Sequence, residues 1–173
     1  MNPFKEIWLN TDKCIDYYLN STNSKPYLIE LVWIVGFVNG IRICLDFTSE
    51  LRYFLLIVVP LITVILFRTF YPWLLFQIGK LVGGRGSKQD LRLIVSLASI
   101  PYLLDLGYLI LVIIIPGNQN SSYGAIDFLV WVFTLRVLII GVAKVQRVSY
   151  VFSFMSIFIP YFMLFGIRLI LLR

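Results

Sequence analysis

Apolar residues run through this chain in long blocks, and polar residues gather in short stretches between them. The first stretch is different. Over residues 3–20, Phe4, Ile7, Trp8, Ile15, Tyr18 and Leu19 recur at roughly helical spacing, with Lys5, Glu6, Asp12, Lys13 and Asp16 between them. It is too polar to cross a bilayer, so the pattern predicts one amphipathic helix lying in the headgroup region. "NSTNSKP", residues 20–26, reads as a linker.

The remaining pattern predicts five membrane spans in one bundle. The first runs about Tyr27–Leu45 and carries Gly36-x-x-x-Gly40, a small-residue spacing that lets helices approach closely. Glu30 and Arg42, near its two ends, are expected to reach the interfaces. From Tyr53 to Val82 the chain is apolar for 30 residues. As one helix that is ~45 Å, against a hydrocarbon core of ~30 Å. Pro60 and Pro72 can kink it, with Arg68 between them. One long bent span is preferred over two short re-entrant segments. The third span, about Leu91–Ile115, contains Pro101 and Asp105. "PGNQNSSYGAID" follows as a polar external loop, with Asn120-Ser121-Ser122 as a bare glycosylation acceptor pattern. The fourth span, about Phe128–Val145, carries Trp131, Arg136 and Gly141. The fifth, about Tyr150–Leu172, opens on Ser149, Ser153 and Ser156 at i, i+4 and i+7, read as a close-packing face.

Composition agrees with this pattern. Hydrophobic residues make up 60% of the 173 and charged ones 14%, with a mean hydropathy of +0.89. A soluble fold of this size could not hide so much apolar surface. The expectation is an all-α integral membrane protein, with residues 1–26 as interfacial helix and linker and 27–173 as the membrane domain. The net charge of +6 is explained by cations flanking spans rather than by nucleic acid. Lys5, Lys13, Lys25, Lys80, Arg85, Lys88, Arg92, Lys144 and Arg147 fall on one predicted side, and Arg42, Arg52, Arg168 and Arg173 on the other. That bias predicts a cytoplasmic N-terminus and an external C-terminus. No positive n-region precedes an apolar h-region, so no cleavable signal peptide is expected.

Few residues promise chemistry. There is no histidine, which removes the commonest general base and metal ligand. Cys14 and Cys44 have no metal-site spacing, and a disulfide between them is not expected. No nucleophile stands beside a base, so no enzyme, cofactor or metal is expected. The loop "GKLVGGRGSKQD", residues 79–90, has Gly79 and Gly84 at the separation of a phosphate-binding loop. It places Arg85-Gly86 where Lys-Ser/Thr is needed, and a membrane helix where a strand is needed. A tight turn is the better reading, with glycines at positive φ and cations in water, near anionic headgroups. Asp105, Arg136 and Arg68 form a candidate intramembrane polar site, because charge at membrane depth is costly. A structural pair of Asp105 with Arg136 is preferred. Arg68 is the competing partner, and a substrate or proton pathway is the alternative.

The order of these features resembles the Yip-domain family, named for members that interact with Rab-type GTPases, and its bacterial members most. The residues that carry the resemblance are Trp8, the loop Gly83, Gly84, Gly86 and Ser87, then Ser99, Pro101, Trp131, Gly141 and Gln146. The resemblance spans almost the whole chain and implies five spans with the N-terminus inside. It implies a non-enzymatic membrane protein of the bacterial cytoplasmic membrane, partnered by the lipid bilayer and by itself or other membrane proteins. The N-terminal region is only about 26 residues, and the motif typical of eukaryotic members is absent, which argues against a GTPase partner. A membrane-organising scaffold is the first functional expectation. A small-solute, ion or lipid transporter using Asp105 and Arg136 is the second.

Overall fold

The computed structural model describes residues 2–21, 25–46, 51–114 and 123–159, and no strand occurs among them. The N-terminal segment is two helices, not one: α1, Pro3–Leu9, and α2, Thr11–Asn20. Asn2 caps α1 by accepting from the Phe4 N–H at 3.0 Å. The chain leaves helical geometry at Asn10 (φ −136°, ψ 60°), and the Thr11 hydroxyl donates to the Ile7 carbonyl at 2.8 Å across the break. Ile7, Cys14, Ile15 and Tyr18 are buried in the protein core. Most of the apolar face expected to lie against lipid is therefore covered by protein, with Phe4 left exposed. The break at Asn10 lets both helices turn that face inward.

Among the described residues, four helices are long and apolar enough to cross a membrane: Tyr27–Leu45, Leu51–Leu81, Lys88–Ile114 and Gly124–Gln146. Together they make a helical membrane bundle. The first consists of α3, Lys25–Ile29, and α4, Val32–Asp46, joined by a tight turn in which the Trp33 N–H bonds the Glu30 carbonyl at 3.0 Å. The second is continuous, as preferred from the sequence: α5, Leu51–Ile65, a π-helical turn over Leu66–Phe70, and α6, Tyr71–Leu81. The π turn has a cause. Pro72 has no N–H for the Arg68 carbonyl, and the ladder shifts register just before it, with the Tyr71 N–H bonding Leu66.

The third long helix is α7, Lys88–Leu97, and α8, Tyr102–Ile114, broken by turns over Ala98–Pro101. Pro101 cannot donate to the Leu97 carbonyl, and the Ile100 N–H bonds it instead at 3.1 Å. The fourth is α9, Tyr123–Gln146. It starts earlier than the predicted Phe128, so Asp127 sits in a helix rather than a loop. The predicted fifth span begins as a helix, α10, Tyr150–Ile159. Its remainder, with Pro160, Gly166, Arg168 and Arg173, lies outside the described residues, as does Asn120-Ser121-Ser122.

Pairwise contacts fix the directions. Gly36 meets Pro60 and Val64, whereas Gly40 meets Pro60 and Leu56, so α4 and α5 are antiparallel. Cβ atoms on these glycines would come within 2.9 Å of the Pro60 carbonyl oxygen and 2.8 Å of its ring. The small-residue pattern is thus a helix-packing face. The Leu56 carbonyl, which Pro60 cannot bond, lies against Gly40. Gly141 of α9 meets Ile94 of α7. The Ser153 hydroxyl of α10 donates to the Ile139 carbonyl at 2.7 Å.

The core is one-sided. α7 buries Leu91, Leu93, Ile94, Val95, Ser96 and Leu97, packed with α1, α2, α6 and the later half of α9. By contrast α8 buries only Asp105 and Leu109, and α5 only Pro60, Thr63 and Val64.

Candidate functional site

The two ends of the bundle hold different chemistry. At one end the chain passes from α6 to α7 through Val82–Ser87, a shorter connection than residues 79–90. Gly83 has φ +80°. The Gly83 N–H bonds Lys80 at 3.1 Å and the Gly84 N–H bonds Gly79 at 2.8 Å, the paired bonds of a Schellman cap. Ser87 caps α7, accepting from the Asp90 N–H at 3.0 Å and donating to its carboxylate at 2.6 Å.

The other glycines serve close approach rather than positive φ. A Cβ on Gly79 or Gly84 would collide with the Gln146 side chain, and one on Gly86 would come within 2.6 Å of Val145. Gln146 is buried, its Nε2 3.4 Å from the Leu75 carbonyl and its Oε1 without a hydrogen-bond partner among the described residues. The Arg85 N–H bonds the Gln146 carbonyl at 3.1 Å. α9 ends in the same way as α6, with the Val148 N–H on Ala143 at 3.1 Å, but Arg147 takes the left-handed position at φ +56°.

The N-terminal helices dock at this end. Lys144 reaches the carboxylates of Asp12 at 2.8 Å and Asp16 at 2.7 Å, and Trp8 meets Phe133 edge to face at 4.4 Å. Burial pushes the Cys14 thiol up to about 11, with Glu6 adding to the effect. Cys14 and Cys44 are both free. No phosphate cradle forms, since backbone and Gln146 fill the space between the glycines.

At the other end three helices meet on one cation. Arg42 of α4 contacts Asp105 of α8 at 2.5 Å and Asp127 of α9, both through the same guanidinium nitrogen. Asp105 is 1% exposed, and its second oxygen has no hydrogen-bond partner among the described residues. Asp127 is 37% exposed and leads to the surface.

The expected Asp105–Arg136 pair is not formed. Arg136 is exposed on α9, and Arg68 pairs with Glu30 at 3.0 Å, both about half exposed. The physical reason is direction. Asp105 sits late in its span, level with the end of the first and the start of the fourth, where Arg42 and Asp127 are. Glu30, Arg68 and Arg136 instead lie near the level of the three helix irregularities, where the Ser96 hydroxyl meets the Ile29 carbonyl at 3.4 Å.

That level also holds a cleft lined by Phe67, Tyr71, Val95, Ser99, Tyr102 and Thr134, among others, with room for about one water. Asp105 does not line it. Ser99 bonds back to the Val95 carbonyl at 3.1 Å, and the Thr134 hydroxyl lacks a partner among the described residues.

Of the serine stripe, Ser153 and Ser156 are buried, whereas Ser149 is exposed and its hydroxyl accepts from the Phe152 N–H at 3.4 Å, as a helix cap. Gln146, Gly83, Gly84, Gly86 and Ser87 lie at the loop end, Gly141 packs on Ile94 and Trp8 on Phe133, Pro101 makes the α7–α8 break, and Trp131 is exposed. Two site residues escaped the sequence reading. Arg42 read as an interface anchor and Asp127 as a loop residue. The available signal was that alternating spans bring Arg42, Asp105 and Asp127 to the same side. No protein-family model matches the chain, and neither a curated protein nor a solved structure is significantly similar to it.

Proposed function

We propose that the chain is a non-enzymatic, multi-pass membrane protein of Yip-like type, a membrane-organising scaffold that associates with itself or with other membrane proteins. The observation that carries this reading is the tie on the buried carboxylate. Asp105 is bound by Arg42 and does not line the cleft, which has room for about one water. Outward, α5, α8 and the first half of α9 present Leu, Ile, Phe and Trp side chains. In lipid such faces associate by close packing, without a hydrophobic drive. Lys80, Arg85, Lys88, Lys144 and Arg147 share the loop end with α1 and α2, which favours that end as cytoplasmic, with five spans and an external C-terminus in a bacterial inner membrane. The Yip likeness rests on residues with physical tasks at that end, Gly83 to Ser87 and Gln146 first among them.

The experiment is crosslinking in native-membrane nanodiscs, with flux measured on the same protein in proteoliposomes. Recovery of discrete crosslinked species together with background flux supports the scaffold. Solute or ion flux lost in Asp105→Asn overturns it in favour of transport. That second reading draws on the three helix irregularities around the cleft, since broken helices line transporter sites.

A further inference from the structure

Charge does not balance where Arg42, Asp105 and Asp127 meet. One guanidinium nitrogen takes both carboxylates, so the two acids lie within a few ångströms of each other. Asp105 is wholly buried, with an oxygen that no described group bonds. Among the described residues, the charged groups that face it are Arg42 from α4 and Asp127 from α9. Asp105 is buried beside a second carboxylate that shares the same cation, an arrangement that favours holding one proton over ionising both acids. A shared proton restores neutrality and gives the orphaned oxygen a hydrogen-bonding role.

We propose that the Arg42–Asp105–Asp127 cluster is a proton-binding site, holding one exchangeable proton between its two carboxylates. The half-exposed Asp127 is the route by which the proton enters and leaves. Loaded, the cluster is neutral and ties α4, α8 and α9 together. Unloaded, it carries one negative charge and the two acids repel, which loosens α8 from α9. The titration belongs to the pair rather than to either residue. This inference does not depend on the scaffold reading. A scaffold with a proton-sensitive tie and a transporter with a proton site both satisfy it.

A hydrophobic carbodiimide tests it, because it modifies only protonated carboxyl groups. The full chain in nanodiscs is treated across a pH series, and labelled peptides are quantified by mass spectrometry. Asp105 or Asp127 is expected to label in the wild type, with labelling falling about tenfold per pH unit above the midpoint. In Asp127→Asn and in Asp105→Asn, the remaining acid faces Arg42 alone as an ordinary ion pair, and its labelling drops about tenfold or more at the same pH. Asp105 labelling unchanged in Asp127→Asn overturns the shared proton, leaving burial alone as the cause. Absence of label in the wild type between about pH 5 and pH 8 also overturns it. So does protection by sodium at fixed pH, which makes a metal cation the occupant. The wild-type pH profile decides the matter even where a variant fails to fold.

Discussion

The loop end and the far end of this bundle are held together by different forces. At the loop end α7 buries six of its ten residues, and α1, α2, α6 and α9 close around it. Apolar side chains there escape water, and the hydrophobic effect applies at about 25 cal/mol per Å². At the far end α5 and α8 bury three and two residues. Lipid is as apolar as leucine, so burial gives little there. What remains is backbone approach, at Gly36 and Gly40 against Pro60, and polar attachment, at Arg42 with Asp105 and Asp127. One end is a core in the soluble-protein sense, and the other is a set of helices pinned at a few points.

The sharpest break of that contrast is Gly79→Val. Its side chain would occupy the space of the Gln146 amide, which is itself buried in the core. We expect a loss of about 3 kcal/mol or more, read as the unfolding midpoint in mixed micelles. Gln146→Ala in the same chain should recover much of it, because the two positions contend for one space. Additive losses would show that Gln146 is not the obstacle.

Gly40→Val probes the far end. The clash is with the Pro60 ring, but α5 has lipid on its outer face and can move away. The expected loss is about 2 kcal/mol or less, with larger changes in α4–α5 crosslinking distance than in stability. A loss above that of Gly79→Val would reverse the assignment of core and pinned ends.

In the alkaline range, pH tests the docked N-terminal helices. The Cys14 thiol titrates near 9 when undocked and is pushed up to about 11 when buried. A raised value means the docked state holds its proton more tightly. Docking is therefore unaffected below about pH 9 and weakens as pH rises towards 11, by about 2–3 kcal/mol at the limit. Alkylation of Cys14 should stay slow at neutral pH and accelerate in that window together with proteolysis of residues 3–20. Cys14→Ala should remove the part of the pH dependence that begins near pH 9.

How much of this was legible beforehand differs between the same two ends. Long apolar runs, the Gly36/Gly40 spacing and the turn before α7 could be read because each depends on residues close in sequence. The N-terminal helices were misjudged because amphipathic periodicity shows that a face is apolar, not whether lipid or protein covers it. Asn10, which breaks the helix, carries no strong stop signal. The pairing of Asp105 failed for another reason. Position within a span gives depth only when the span's ends are known, and the start of α9 at Tyr123 was hidden in a polar run. Once Asp127 is helical, it lies level with Arg42, and Arg136 falls near the other level with Arg68 and Glu30.

The smallest effect separates backbone strain from packing within the loop end. α6 and α9 finish side by side in the same left-handed cap, one with Gly83 at φ +80° and the other with Arg147 at φ +56°. A left-handed residue other than glycine costs about 1 kcal/mol, because its Cβ crowds the following carbonyl. A Cβ on Gly83 would meet nothing within 4 Å, so Gly83→Ala changes conformational cost and no contact. It should lower stability by about 1 kcal/mol. Arg147→Gly should act in the opposite sense but by less. Removing the strain gains about 1 kcal/mol, and losing a cation at a helix C-terminus gives back about 0.3–1. Arg147→Asn, which tolerates the left-handed region, separates the two contributions. If Arg147→Gly lowers stability by as much as Gly83→Ala does, the Arg147 side chain outweighs its backbone strain, through a contact at the loop end that the cap geometry does not explain.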